Sequence, residues 1–196
     1  MRRILFLTTL IFITGLTTDL KPQSSETNAF SDISLTLNLI SNHSTDELNT
    51  YWTGKSGFEG YLQMPFYFGD IQAGARYIAY KEKELYFHNF SSLYYFLGWG
   101  KKFNLPLNFS FYSGIRVGGF GTAIVDDSLN EEEKNETELA VGINSYLALR
   151  INNNLRITVG ADYTKVYFYK KIELFLLSAG MSYSFQTPAW IKEILN

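Results

Sequence analysis

The chain has 196 residues, of which 46% are hydrophobic and 18% charged; this predicts one folded domain and excludes a disordered polyampholyte. Aromatic residues make up 17% of the chain and favour β-strands and membrane–water interfaces, so the composition favours an all-β protein. The formal net charge of −2 indicates no basic surface for nucleic acid, so we do not expect nucleic acid as a partner. Cysteine is absent, which excludes disulfides and thiolate metal sites, and two histidines are too few for a histidine metal cage. We predict no bound metal and no cofactor.

The N-terminal segment has the pattern of a secretory signal peptide. Arg2 and Arg3 precede an apolar run from Ile4 to Leu16 that contains no charged residue. A helix that spans a bilayer needs about 20 apolar residues, so this run is too short for an anchor. We predict a cleavable signal peptide over residues 1–18, with its cleavage site left open, followed by a polar, flexible lead-in over residues 19–31.

Between residues 32 and 185, apolar and polar residues alternate with the period of side chains on the two faces of a β-strand. The alternation divides into eight segments of about ten residues, the length of a tilted strand that crosses a bilayer. One face is apolar and includes Leu37, Ile143 and Val159, whereas the other is rich in Gly, Ser, Thr and Asn. We therefore predict an all-β fold, an eight-stranded antiparallel up-and-down transmembrane β-barrel with lipid outside and a narrow polar lumen.

The connections between these segments alternate in length. We predict short links at Gly69-Asp70, Asn104-Leu105-Pro106 and Asn152-Asn153-Asn154, and longer polar loops at 42–57, 81–87, 121–137 and 166–172. Short turns at one end and long loops at the other indicate an outer-membrane barrel, and an even number of strands puts both termini on the periplasmic side. Aromatic residues of the apolar face gather near both ends of the segments, as in the two girdles of such barrels.

A soluble barrel of the lipocalin kind is the alternative fold, because it also has eight strands. In a soluble barrel the apolar residues Leu37, Ile143 and Val159 would point into the central cavity, and Arg76 and Asp162 would lie outside. The positions of these five side chains therefore decide between the two folds.

The alternation of short and long connections over residues 32–185 resembles that of the outer-membrane barrels of the OmpA/OmpX type. The last segment contains Gly180, Tyr183 and Phe185, a pattern similar to the assembly signal read by the barrel assembly machinery. The resemblance implies the outer membrane of a Gram-negative-type bacterium, contact with its lipid and lipopolysaccharide, and a monomer. Barrels of this type usually stop at the final Phe, whereas residues 186–196 follow here.

The segment 186–196 is predicted to form a short amphipathic helix on the periplasmic membrane surface. Thr187 and Pro188 supply an N-cap and a first helical residue. Four apolar residues then fall on one helical face: Trp190, Ile191, Ile194 and Leu195. A frayed tail is the alternative for so short a segment.

Seven charged residues fall on the polar face of the predicted strands: Glu59, Arg76, Arg116, Glu138, Arg150, Arg156 and Asp162. Charges that face lipid are costly, so we expect these seven in the lumen as an ion-pair network. Eight strands leave room only for side chains, which favours a filled barrel with a structural or surface-interaction role. A small gated pore is the alternative.

A lipid A-modifying enzyme is the second alternative, because eight-stranded barrels include lipid A deacylases and palmitoyltransferases. A deacylase needs a serine nucleophile, a histidine base and a carboxylate. The candidates are His88 with Ser91 or Ser92, and His43 with Ser44. Along an extended strand His88 and Ser92 are about 13 Å apart, beyond hydrogen-bond reach. We therefore expect no catalytic residue.

Overall fold

The computed structural model describes residues 29–44, 47–54, 56–83, 88–124, 135–168 and 171–188. In chain order its elements are β1 (Asp32–Asn42), α1 (Glu47–Tyr51), β2 (Trp52–Gly54), β3 (Gly57–Phe66), β4 (Gly69–Glu82), β5 (Phe90–Asn104), β6 (Phe109–Ile124), β7 (Asn135–Arg150), β8 (Leu155–Val166) and β9 (Ile172–Gln186). No described helix is long and apolar enough to cross a membrane. The predicted signal peptide, the lead-in up to residue 28 and the tail from residue 189 lie outside the described residues.

Eight of the strands form a closed antiparallel barrel. Consecutive strands from β3 to β9 pair with each other, and β1 closes the ring by pairing with both β3 and β9. The seam between β1 and β9 runs from Asp32 opposite Gln186 to Asn42 opposite Leu176. Closure gives every strand two hydrogen-bonded neighbours, which a strand surrounded by lipid requires because no water is available there. The predicted eight-stranded antiparallel barrel is confirmed.

A ninth strand, β2, is an addition that the sequence pattern did not predict. It lies beside the end of β4, with Trp52 opposite Glu82, beyond the residues that pair with β3. The ring of Trp52 packs edge-on against Phe90, with ring centroids 5.4 Å apart. Together with α1, β2 gives regular structure to most of the described part of the segment 42–57, which was predicted to be a loop.

The two faces of the barrel wall point as the alternation predicts. Leu37, Ile143 and Val159 are 61%, 57% and 61% exposed on the outer surface, whereas Arg76 and Asp162 are buried in the lumen. The apolar face is therefore the exterior, and the lipocalin-like alternative, which needs an apolar interior, is excluded.

Aromatic side chains lie on the outer surface near both ends of the barrel. Near the loop end, Phe58 stacks on Tyr77 with ring centroids 5.6 Å apart. Near the turn end, Trp99, Tyr183 and Phe68 are exposed. Rings at both levels match the interfacial girdles of membrane barrels.

The three short turns lie together at one end of the barrel, and the first differs from the prediction. Tyr67 and Phe68 connect β3 to β4, whereas the prediction places this link at Gly69-Asp70. Tyr67 takes a left-handed φ of 48°, the kind of conformation that a two-residue hairpin turn requires. The other two turns, at 105–108 and 151–154, overlap the predicted links.

The position of the first turn sets which side chains face each other across β3 and β4. In the observed register Glu59 lies opposite Arg76. A two-residue turn at 69–70 would instead have set Glu59 opposite Tyr80. The turn at Tyr67 and Phe68 therefore creates an ion pair that the predicted turn would have separated.

Replacing Val159 with lysine is expected to lower the free energy of unfolding in lipid bilayers by about 2–4 kcal/mol, because a cation would lie within the hydrocarbon. Asn153→Lys, in the exposed turn between β7 and β8, is the matched control and should change stability little. Urea titration of tryptophan fluorescence, with the protein folded into lipid vesicles, measures both. Equal stability of the Val159 variant and the wild type would contradict a lipid-facing exterior.

Candidate functional site

Four of the predicted lumenal charges meet at one level of the barrel interior. They are Glu59 of β3, Arg76 of β4, Arg116 of β6 and Asp162 of β8, and we call them the charge cluster. All four side chains are buried. Glu59 and Arg76 are neighbours on adjacent strands, whereas Arg116 of β6 and Asp162 of β8 reach them from other parts of the wall, so their contacts cross the lumen.

Both carboxylates of the charge cluster are shared between the two guanidinium groups. Glu59 Oε2 lies 2.7 Å from Arg76 Nη2 and 2.9 Å from Arg116 Nη1. Asp162 Oδ2 lies 2.9 Å from Arg76 Nη2 and 3.4 Å from Arg116 Nη1. Two cations and two anions leave the cluster neutral. A buried charge is tolerated when it is paired and hydrogen-bonded in this way.

Neutral polar side chains add hydrogen bonds to the charge cluster. Asn38 Nδ2 donates to Glu59 Oε1 at 3.3 Å. Thr164 Oγ1 donates to Asp162 Oδ1 at 2.5 Å, and Arg116 Nε donates to Gln72 Oε1 at 3.1 Å. These neutral partners were not predicted as site residues, although they alternate on the same inward face as the charges.

Aromatic rings cover the guanidinium groups. The Cζ atom of Arg116 lies 4.2 Å from the ring centroid of Phe96 and 5.0 Å from that of Tyr61. The Cζ atom of Arg76 lies 5.5 Å from the ring centroid of Tyr94. These are cation–π distances, and the rings also exclude water from the ion pairs.

Backbone register and one glycine position the arginines. The register sets Arg76 directly opposite Glu59 on the neighbouring strand. Gly98 lies opposite Arg116, and a Cβ atom at Gly98 would be 3.1 Å from Arg116 Cγ. The missing side chain leaves space for the stem of Arg116 to cross the lumen.

Glu138, Arg150 and Arg156 lie outside the charge cluster, so the structure brings together four of the seven predicted residues. Glu138 faces Phe120 across β7 and β6, near the loop end. Arg150 and Arg156 face each other at the turn end. Arg156 is six positions from Asp162 on β8, which corresponds to about 20 Å along an extended strand. Within the described part of the chain, these three side chains form no salt bridge.

An apolar plug fills the lumen between the charge cluster and the loop end. It consists of Ile40, Ile78, Tyr80, Phe120, Ala140, Val166, Leu174 and Leu176. Leu48 of α1 packs against it from the loop side. The cavity beside the charge cluster measures about 10 Å³, too little for a water-filled passage. The signal for this plug is the apolar character of both strand faces near the loop end, as in the segment from Leu174 to Leu177.

The lumen is open on the turn side of the charge cluster. A cavity of about 820 Å³, which we call the vestibule, lies there between the ends of the strands. A chain of hydrogen bonds links the two regions: Gln72 Nε2 donates to Gln63 Oε1 at 2.9 Å, and Gln63 Nε2 donates to Asp70 Oδ2 at 2.7 Å. The interior is thus closed towards the loops and open towards the turns.

The histidines and serines considered for catalysis lie near the loop end of the barrel. His43 Nε2 lies 3.1 Å from Ser41 Oγ, rather than beside Ser44. The hydroxyl of Ser44 donates instead to Asn42 Oδ1. His88 is exposed, and its carbonyl oxygen accepts a hydrogen bond from Trp52 Nε1 at 2.9 Å.

No protein-family model and no curated protein sequence matches this chain. Solved structures do match. Neisserial surface protein A (NspA) aligns over 80% of this chain and 96% of its own, with 10% identity and a TM-score of 0.50. The outer membrane protein AlkL, in DMPC lipid bilayers, aligns over 88% of this chain and 99% of its own, with 15% identity and a TM-score of 0.50. This chain has the fold of an eight-stranded outer-membrane barrel. The likeness to OmpA/OmpX-type barrels is confirmed at the level of the fold.

Removing one charge from the cluster is expected to destabilise the barrel by about 3–5 kcal/mol, because a buried partner is left without its counter-charge. Glu59→Leu and Arg76→Met are the single variants. The double variant removes one charge of each sign, and its loss should be smaller than the sum of the two single losses by at least about 1 kcal/mol. Urea unfolding in vesicles measures all three.

The exposed pair formed by Lys165 and Glu173, with Nζ and Oε1 2.9 Å apart, provides the control for the charge cluster. Lys165→Met should change stability little, because exposed pairs contribute little. If the losses at Glu59 and Arg76 were additive, the charge cluster would not act as a unit.

Proposed function

We propose that this protein is a non-conducting, non-catalytic barrel of the bacterial outer membrane with a structural or surface-interaction role. The observation that carries the proposal is the closed lumen. The charge cluster spans the interior, and the apolar plug fills the space above it. A permanent channel would need a continuous water-filled path at this level.

The exterior of the barrel supports a location in lipid. Its apolar surface lies between two levels of aromatic side chains, which is the pattern of a membrane-spanning barrel. AlkL, which shares the fold, was determined in lipid bilayers. We infer that this chain contacts outer-membrane lipid and lipopolysaccharide, and that it does so as a monomer.

The two ends of the barrel have different roles in this proposal. Short turns and the described ends of the chain lie at one end, which we assign to the periplasm. At the other end, α1 and β2 pack on the barrel and support a surface that can face the exterior. Gly180, Tyr183 and Phe185 of β9 would serve as the signal for the barrel assembly machinery.

A small gated pore is the second candidate, and the vestibule favours it. The vestibule brings a wide opening from the turn end into the interior. Exchange of partners among the shared carboxylates of the charge cluster, together with displacement of the apolar plug, would be the step that opens the lumen.

Conductance separates the two candidates. We expect the purified protein to give no discrete current steps in planar bilayers, and Arg116→Ala and Asp162→Ala to stay silent because the apolar plug remains. Folding of each sample is checked by its faster gel mobility before boiling. Discrete steps in the wild type, altered by either substitution, would contradict the closed lumen and support the pore.

The absence of cysteine allows the orientation to be tested by single-site labelling. Ser56→Cys lies at the loop end and Asn153→Cys in a turn, and both positions are exposed. In intact cells a membrane-impermeant maleimide should label the Ser56 variant alone. The Asn153 variant should react after the outer membrane is permeabilised. The opposite order would reverse the proposed orientation.

A further inference from the structure

We propose that the vestibule at the turn end is a binding site for a phosphate group, such as that of a small phosphate ester. The vestibule has about 820 Å³, which is within the range of small-molecule sites. The inference goes beyond the proposed structural role, and it does not depend on whether the lumen conducts.

The vestibule carries an excess of positive charge. Three basic side chains point into it, Lys102, Arg150 and Arg156, and two acidic ones, Asp32 and Asp70, also line it, so one positive charge is in excess. A fourth cation, Lys101, lies at the rim, where its Nζ atom is 5.8 Å from the ring centroid of Phe103. A cavity lined by one sign of charge concentrates ligands of the opposite sign. The lining therefore favours an anion.

Two of these cations face each other directly. Arg150 ends β7 and Arg156 follows the start of β8, and the register sets them opposite each other across the turn. Directly opposed residues have Cβ atoms about 5 Å apart, and like charges in this arrangement destabilise a sheet. A ligand that carries two negative charges would relieve this repulsion and accept hydrogen bonds from both guanidinium groups.

Hydroxyl groups orient one of the arginines within the vestibule. Arg156 Nη1 donates to Ser184 Oγ at 2.8 Å. Ser184 Oγ in turn lies 2.8 Å from Ser34 Oγ. The guanidinium group is thus held by neutral partners, which leaves its charge available to a ligand.

The acidic residues of the vestibule do not neutralise its cations. Asp70 accepts a hydrogen bond from the Gln63 amide at 2.7 Å, and Asp32 accepts one from the Ser31 hydroxyl at 3.4 Å. Lys102 is half-buried and points inward from β5. Among the residues that the structure describes, none of the four vestibule cations has a carboxylate within 4.0 Å.

In the charge cluster, by comparison, the lumenal arginines are paired with carboxylates. There both arginines contact both carboxylates, at 2.7–3.4 Å. Arg150 and Arg156 have room beside them and lack such partners. A dianion with several acceptor oxygens supplies what these side chains lack.

The test is a titration of the full-length folded barrel with inorganic phosphate, followed by amide NMR in octyl glucoside, a detergent without phosphate. We expect saturable shifts at the amides of Arg150, Arg156 and Lys102 that chloride at equal ionic strength does not cause. The double variant Arg150→Gln/Arg156→Gln should bind at least about tenfold more weakly, because two charge-assisted contacts are lost.

Lys165→Gln is the matched control, since it removes a cation at the loop end, where Lys165 pairs with Glu173. It should bind phosphate as the wild type does. Gel mobility before and after boiling verifies that each variant is folded, and Arg150→Lys should retain part of the affinity. Absence of saturable shifts, or equal affinity of the double variant and the wild type, would overturn the proposal.

A parallel titration with phosphatidylglycerol identifies the source of the phosphate group. The vestibule opens at the turn end, and the barrel wall separates its interior from the surrounding lipid, so we expect the lipid to shift amides of outward-facing residues and not to compete with phosphate. Competition at the arginine amides would still support phosphate recognition, but it would assign the ligand to a lipid headgroup.

Discussion

The contacts of Glu59 and Asp162 with Arg76 and Arg116 join four strands across the lumen, and the rest of the interior is arranged around them. A carboxylate or guanidinium group without a partner in this position would cost several kcal/mol. The four groups must therefore lie at one height, which constrains the register of β3, β4, β6 and β8 together. A shift of one strand against its neighbour would separate groups that no water can solvate. We therefore expect the charge cluster to contribute to the specificity of the strand register as well as to stability.

The charge cluster divides the lumen into an apolar, filled part and a polar, open part along the barrel axis. On the loop side, the remaining space is filled by Leu174, Leu176 and the other apolar residues of the plug, which need no polar partner. On the turn side, the walls are polar and enclose an open cavity. The hydrogen bonds of Gln72 and Gln63 connect the charge cluster with the vestibule. A barrel that served only as a rigid anchor could be filled along its whole length, so the open half requires an explanation of its own.

Periodicity alone predicts much of this fold, because the two faces of a strand meet different solvents. The alternation around Leu37, Ile143 and Val159 identifies the exterior, and it also places all the cluster charges inside. The axial height of each charge depends on the strand register, which turn geometry sets. The turn at Tyr67 and Phe68 lacks the glycine or asparagine that usually marks such turns, so the pairing of Glu59 with Arg76 was not predictable from local sequence. The sequence also predicted Arg150 and Arg156 in one network with the charge cluster, whereas they lie at the turn end. Alternation shows which face of a strand a side chain is on, but it does not show the position of that side chain along the barrel axis.

The arginines of this barrel occupy two settings that place different demands on the residue. Arg116 contacts two carboxylates, an amide oxygen and two aromatic rings, so its size, charge and planar shape are all used by the fold. Arg156 contacts a serine hydroxyl and faces a like charge. The neighbouring inward positions, Ser182 and Thr158, carry small neutral side chains, so the fold does not require a charge on this part of the barrel wall. Like charges directly opposite each other in a sheet are unfavourable for folding, and here no contact compensates for them. Such positions are where a functional role is expected. Binding of an anionic ligand in the vestibule therefore explains the opposed arginines better than a role in the stability of the barrel does.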